Sequence, residues 1–289
     1  MSKIILVTGA TGTVGSATVK ALSALGANVR AGVHSLIKGD NLKRLPGVDL
    51  TEINFSRPES LAVAFTGVGT AFLITPFAQD QVEMAQQLVD AAKAAGVKHV
   101  VRLSVIGADA EPGIQIGRWH RQAEEYLKSS GLPSTMLRPS GFMQNFTNQY
   151  APTIKENNVF YQPNGEGRAG YIDVRDIGAV AAHVLMNPSE HTGMAYTLTG
   201  PQALSGNEVA EIFTRVLGRP INYMDVPEDT ARTAMQQQGL PEWMTESLLE
   251  LGAITRAGYT SGLTSTVKEL IGKEPYTFEE FLEAHKHCF

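Results

Sequence analysis

Gly9, Gly12 and Gly15 recur every third residue in Thr8-Gly9-Ala10-Thr11-Gly12-Thr13-Val14-Gly15, directly behind the apolar run Ile4-Ile5-Leu6-Val7. At the end of a buried strand each glycine has its own use. The first permits a tight turn, the second lets the backbone approach a pyrophosphate, and the third lets the next helix pack hard on the strand. That helix then turns free N–H groups and the positive end of its dipole toward the anion. The pattern predicts a dinucleotide cradle made by Gly9, Thr11, Gly12, Thr13, Val14 and Gly15. Gly15 is followed by Ser16, not by the Lys and Ser/Thr of a nucleoside-triphosphate loop, so phosphoryl transfer is not expected.

Which dinucleotide is bound depends on the end of the second strand, where an acid would hold a ribose 2′-hydroxyl and repel a 2′-phosphate. Here the chain reads Val33-His34-Ser35-Leu36-Ile37-Lys38, with no acid before Asp40. Arg30, His34 and Lys38 are the nearby cations, and His34, Ser35 and Lys38 are expected at the phosphate, so NADP(H) is preferred over NAD(H). An ordinary polar strand end is the plainer account of His34. Thr75, Pro76 and Phe77 follow the fourth strand, where a loop would run along the ribose and nicotinamide.

Positioning these residues requires alternating elements. Strands are expected at Ile4–Val7, Ala27–Val33, Val48–Ile53, Thr70–Thr75, Val97–Val105 and Thr135–Leu137. Helical stripes fall between them, ended by Gly26, Gly96 and Gly131. Such alternation implies βαβ units, and right-handed crossovers then give a doubly wound, Rossmann-like parallel sheet with helices on both faces. Its ligand crevice lies at the carboxyl ends of the strands. After residue 140 the rhythm changes. Helices are expected over Gly141–Glu156, Ile172–Leu185 and Ser205–Leu217, a strand at Ala195–Thr199, and irregular chain over Asn157–Gly170. The division expected is a dinucleotide-binding domain over 1–140, with return segments at about 170–200, and a smaller, mostly helical cap over 141–289.

Composition bounds the partners. The 289 residues are 43% hydrophobic and 18% charged with net charge −5; that suits a sizeable core and no nucleic-acid groove. No apolar run reaches the ~20 residues that span a bilayer, so no membrane association is expected. The start MSKIILVTGATG lacks the pattern of a secretory leader. Cys288 is the single cysteine, which excludes a disulfide within the chain; a cytoplasmic protein, monomer or homodimer, is expected. The tail His285-Lys286-His287-Cys288 is expected to be frayed and solvated rather than a metal site, and no His-Glu-x-x-His, Cys-x-x-Cys or Gly-x-Ser-x-Gly occurs.

Further stretches carry a resemblance. The glycine turn, Arg102-Leu103-Ser104-Val105-Ile106-Gly107-Ala108, His120-x-x-x-Glu124-x-x-Leu127, Leu137-Arg138-Pro139-Ser140-Gly141-Phe142-Met143-Gln144-Asn145-Phe146 and Tyr171-Ile172-Asp173-Val174-Arg175-Asp176-Ile177 together resemble the NmrA-like family of atypical short-chain dehydrogenase/reductases. The resemblance weakens after about residue 220. It implies the Rossmann-like fold and a bound dinucleotide, with Asn54, Ser104, His120 and Pro139 against it. The family holds NADPH-dependent quinone and triphenylmethane dye reductases, as well as regulators that bind the dinucleotide without turning it over.

Departures from the wider superfamily matter most. Its Tyr-x-x-x-Lys pair is absent from this chain; the tyrosine position carries Ile116 and the lysine position His120. Ile116 cannot donate a proton, and losing that acid removes about 10²–10⁴-fold of support for reactions that need one. Ser104 and His120 are the catalytic candidates. His120 could donate a proton, hold the ribose, or be a packing residue oriented by Glu124 one turn on. Phe77, Phe142, Met143, Asn145 and Phe146 are the candidates for a flat aromatic acceptor, with core packing the alternative for the last four. Asp173 and Asp176 are read as helix caps. The expected function is hydride transfer from NADPH directly to a quinone or similar electron-poor aromatic. A catalytically inactive NAD(P)(H)-sensing regulator is the alternative.

Overall fold

The computed structural model describes residues 4–289. The chain divides into two compact units. The first takes in the chain as far as Gly113, then Gly117–Pro139 and Val174–Thr197. The second takes in Ile114–Ile116, Ser140–Asp173 and Leu198–Phe289.

The first unit is a βαβ series: β1 (Ile4–Val7), α1 (Thr13–Ala24), β2 (Val29–Val33), α2 (Asp40–Lys43), β3 (Val48–Glu52), α3 (Pro58–Phe65), β4 (Val68–Leu73), α4 (Gln81–Ala94), β5 (His99–Leu103), α5 (Gln115–Ser129) and β6 (Ser134–Pro139). The chain then passes through α6 (Ala151–Asn157), β7 (Val159–Gln162) and β8 (Arg168–Ala169), and returns with α7 (Val174–Met186) and β9 (Ala195–Leu198). The sheet runs β3-β2-β1-β4-β5-β6-β9, and the pairings from β3 across to β6 are all parallel. Its interior strands β1, β4 and β5 are almost wholly buried and mostly apolar, as helices covering both faces require. Leu6, Ala71, Leu73 and Val100 pack against Phe65, Leu88, Val89 and Leu127 on one face. On α7, a Cβ added to Gly178 would stand 2.8 Å from the backbone of Ala17, so this glycine is what lets α7 approach α1.

Strand order reverses between β1 and β4, and a ligand crevice belongs at such a switch point. Thr8 ties the two strand ends together. Its Oγ1 donates to the Ile74 carbonyl at 2.8 Å and accepts from the Ile74 N–H at 2.7 Å.

The second unit adds β10 (Leu204–Ser205), α8 (Gly206–Leu217), β11 (Asn222–Asp225), α9 (Glu228–Gln237), α10 (Glu242–Arg256), α11 (Thr266–Ile271) and α12 (Phe278–His285). Ser205 and Glu208 form a capping box on α8, as do Thr277 and Glu280 on α12. Its core is aromatic. Phe146 sits against Tyr150, Phe160, Tyr171, Phe213 and Phe278 with ring centroids 5.0–5.8 Å away.

Several expectations change here. Gly141–Glu156 is not one helix: Phe142 bridges Ile172, Phe146–Tyr150 is a π-helical turn, and α6 begins only at Ala151. The supposed irregular stretch contains β7, which pairs parallel with β11. In the C-terminal tail Lys286 and His287 are exposed, as expected of a solvated end, but His285–Cys288 is helical rather than frayed. Phe281 and Leu282 are buried, and the Phe289 ring lies edge-on to Phe213 at 4.9 Å. Among the described residues, no helix is long and apolar enough to cross a membrane.

Candidate functional site

The glycine turn has the geometry its sequence demands. Gly9 takes φ +59, a left-handed conformation that disfavours a side chain. A Cβ on Gly15 would lie 2.8 Å from the Gly9 carbonyl carbon and 2.9 Å from Ala10 Cα, so this glycine seats α1 against the turn. Gly12 is the N-cap of α1 and supplies no side-chain cap. The N–H groups of Thr13, Val14 and Gly15 therefore have no acceptor within the helix. Thr11, Gly12 and Thr13 are exposed while Val14 and Gly15 are buried, which divides the turn into a ligand-facing tip and a packed base. An exposed tip with a glycine at the helix N-cap suits a pyrophosphate.

Beyond β2, His34 and Lys38 are exposed and Ser35 is half-buried. The first acid past the strand, Asp40, is held by Arg44 at 3.1 Å. Arg30 does not join the cations: its guanidinium donates to the carbonyls of Ala64 (2.9 Å) and Thr66 (2.6 Å) at the end of α3. Asn54 uses its carboxamide oxygen to accept from the Ser56 N–H at 3.0 Å. Thr75 is half-buried and Pro76 exposed after β4. Phe77, 40% exposed, meets Trp119 of α5 edge-to-face at 6.4 Å.

At the end of β5 the chemistry is denser. Ser104 is buried and its hydroxyl donates to Glu124 Oε1 at 2.6 Å. Glu124 is also gripped in two-pronged fashion by Arg138, Nε to Oε1 at 2.9 Å and Nη2 to Oε2 at 2.7 Å, with Lys128 at 3.5 Å. Burial works to raise the Glu124 carboxyl, but the bonds from Arg138 and Ser104 outweigh it and hold it below the usual range. The Ser104 proton is thus committed to Glu124, which makes the serine a strut of the β5–α5 contact. Pro139 closes β6, and its carbonyl accepts from the Ile106 N–H at 3.0 Å.

His120 lies one turn before Glu124 and does not hydrogen-bond to it. Its Nδ1 is sealed from solvent without a hydrogen-bond partner among the described residues. Burial first, then the Arg102 cation, drive its pKa down to about 3 against the pull of Glu124. At neutral pH His120 is an uncharged imidazole, a hydrogen-bonding group and not a stored proton.

In the second unit the acceptor candidates separate. Phe142 and Asn145 are half-buried. Met143 and Phe146 are fully buried, and the Phe146 ring is enclosed by five other rings, so neither offers a face to an acceptor. Their helical spacing is a core signal. Asp173 accepts from Gln144 Nε2 at 2.9 Å and is buried. Sequence reasoning missed Thr8, Trp119 and Arg102. An arginine inside the apolar strand His99-Val100-Val101-Arg102-Leu103 was the one visible signal among them.

A parallel sheet whose order reverses beside a glycine turn opening a helix defines a Rossmann-like α/β protein of the dinucleotide-binding class. The chain belongs to the NmrA-like family, whose sequence model matches residues 1–282. It is 40% identical over 286 residues to an NAD(P)H azoreductase of Xenophilus azovorans, covering 99% of each chain. Its fold is similar to that of an NADPH-dependent quinone oxidoreductase of Escherichia coli solved with NADPH: TM-score 0.87, 26% identity, 98% of this chain and 99% of that one. The Citrobacter triphenylmethane reductase complexed with NADP(H) shares the fold at TM-score 0.86 and 24% identity, over 99% of this chain and 100% of that one.

Proposed function

We propose that this protein is an NAD(P)H-dependent oxidoreductase that prefers NADP(H) and reduces a quinone, or a dye of similar electron-poor aromatic character, by direct hydride transfer. The reading is supported by the intact glycine cradle in a chain that matches an NAD(P)H azoreductase end to end. When bound, the reduced dinucleotide would supply the hydride, two electrons and one proton, to the acceptor; a quinone takes its remaining proton from solvent, and a cationic dye needs none.

The chain's own residues bind and orient. Thr13, Val14 and Gly15 offer N–H groups to the pyrophosphate, and Gly12 lets it come close. His34, Ser35 and Lys38 hold a 2′-phosphate; Asn54 lies toward the adenine, and Thr75, Pro76 and Pro139 toward the ribose and nicotinamide. Ser104 acts through Glu124, and His120 donates a hydrogen bond. Phe77, with Trp119 behind it, offers an aromatic edge to a flat acceptor. Orientation of this kind is the larger part of what hydride transfer asks of a protein.

The deciding experiment is dinucleotide oxidation by the purified protein across quinones, triphenylmethane dyes and azo dyes, with NADPH and NADH in parallel. Turnover well above the uncatalysed rate, faster with NADPH, is expected. Tight dinucleotide binding with no turnover on any acceptor would refute the reductase reading and leave a dinucleotide sensor.

A further inference from the structure

Alternation along β5 puts Val100, Arg102 and Ser104 on one face, and α5 lies over it with His120, Glu124 and Leu127 at helical spacing. Ser104 bonds to Glu124, and Val100 shares a core with Leu127. Arg102 is between them and fully buried, and Nε, Nη1 and Nη2 of its guanidinium have no hydrogen-bond partner among the described residues. It is still a cation at neutral pH, although burial, opposed by Glu124, brings its pKa down to about 10. Buried guanidinium donors require acceptors. The Glu124 oxygens are already engaged: Oε1 by Ser104 and Arg138, Oε2 by Arg138 and Lys128. A neighbouring acceptor that is not engaged is Nδ1 of His120, itself sealed and without a partner. Of the charged groups acting on His120, Arg102 from β5 disfavours its protonation and Glu124 from its own helix favours it. Only Nδ1 of the two ring nitrogens is among the sealed, unpartnered atoms, and the residue as a whole is half-buried.

We propose that Arg102 and His120 share one ordered internal water, which accepts from the guanidinium and donates to Nδ1, and that Arg102 thereby fixes His120 as the neutral tautomer with its proton on Nε2. A single water suits a polar site between a donor-only group and an acceptor. Were the proton on Nδ1 instead, the water would accept from both groups and neither would be left to accept its own protons. Arg102 is then a positioning residue: it decides which way the His120 hydrogen bond points. What Nε2 meets rests on the reductase reading above; the tautomer does not.

The test is a long-range proton–nitrogen correlation spectrum of the imidazoles in the full-length protein, with His120→Gln used to assign the His120 signals. Expected are Nδ1 in the unprotonated range and Nε2 in the protonated range, unchanged from pH 8 to pH 5.5. In Arg102→Met the tautomer should no longer be fixed, so the Nδ1 and Nε2 shifts of His120 should move toward one another across that window. Arg102→Lys, which keeps charge and donors, should restore the wild-type pattern. A proton on Nδ1 in the wild type, or His120 titrating there near ~6.5, overturns the proposal. So does an Arg102→Met protein whose His120 is unchanged. If Arg102→Met does not fold, the wild-type and Arg102→Lys spectra decide alone. No acceptor or turnover enters the measurement, so its failure is distinct from failure of the reductase assay.

Discussion

Gly15→Ala is the most exacting test of the cradle. The new Cβ would lie 2.8 Å from the Gly9 carbonyl carbon and 2.9 Å from Ala10 Cα. Carbon atoms in contact prefer about 3.5–4.0 Å, so α1 and the turn must separate by roughly 0.7 Å or more. The opposing atoms are backbone, with no flexible side chain to give way. Overpacking of this kind costs about 1–3 kcal/mol. The separation also moves the Thr13 and Val14 N–H groups off the pyrophosphate, where a bond to a charged group contributes about 1.5–3 kcal/mol. Losing the equivalent of one such bond weakens dinucleotide binding about 10–100-fold. Gly12→Ala is the matched control, because its Cβ meets only Gly9 O, at 3.2 Å, and the fold should lose little. Thermal melting and fluorescence titration with NADPH read the two effects separately. A Gly15→Ala protein that melts within a degree of wild type and binds NADPH normally would refute the account.

Lys38→Glu, on the exposed segment after β2, should lower the NADPH-over-NADH preference about tenfold through loss of one charge-assisted bond and new repulsion; paired Kd titrations check it, and an unchanged ratio counts against the phosphate site. Phe77→Ala should raise KM for quinones about 3–10-fold, the contribution of one aromatic contact, with NADPH affinity unaltered; steady-state kinetics decide. His99 is buried and donates or accepts between Thr135 and Thr192, and burial, then His191, lower its pKa to about 4. Its folded pKa is below the unfolded value, so between pH ~6.5 and ~4 the unfolded chain takes the proton and the fold does not. Stability falls as pH drops, by up to about 2 kcal/mol from pH 6.5 to 5. Urea unfolding at both pH values should show that slope, and His99→Gln should flatten it.

The alternation of strands and glycine-ended helices was legible because the interior strands are covered on both faces, so runs such as Ile4–Val7 are apolar. The cradle was legible because three backbone demands, a positive φ, a close approach and a close packing, all select the same residue type. The acceptor side was not. Phe142, Met143, Asn145 and Phe146 follow one another closely, and their types fit a core and a binding lip equally well. The π-helical turn at Phe146–Tyr150 shifts the face each residue presents, and no periodicity announces it. Arg30 reads as a phosphate ligand by charge, yet its reach carries the guanidinium to the carbonyls ending α3. Such destinations depend on tertiary neighbours that the local sequence does not specify.

Acceptor chemistry follows from what the site lacks. Hydride added to a plain carbonyl leaves an alkoxide, a strong base that must be protonated as it forms. Hydride added to a quinone leaves a hydroquinone anion, whose charge spreads over the ring and which water can protonate afterwards. On the proposed reading, Ile116 stands where the superfamily has its tyrosine, and His120, its pKa lowered to about 3 by burial and Arg102, is an uncharged imidazole at neutral pH with no stored proton for an alkoxide. Simple aromatic aldehydes and ketones should therefore be reduced about 10²–10⁴-fold less efficiently than quinones, the usual contribution of a positioned acid. For quinones, kcat should be flat between pH 6 and 8, since His120 stays uncharged across that range. Steady-state kcat/KM for a quinone and an aromatic aldehyde of matched size, each across that range, measures both. Comparable efficiencies, or a quinone profile with a limb near pH 6.5, would mean that a proton donor exists and that His120 is the first place to look.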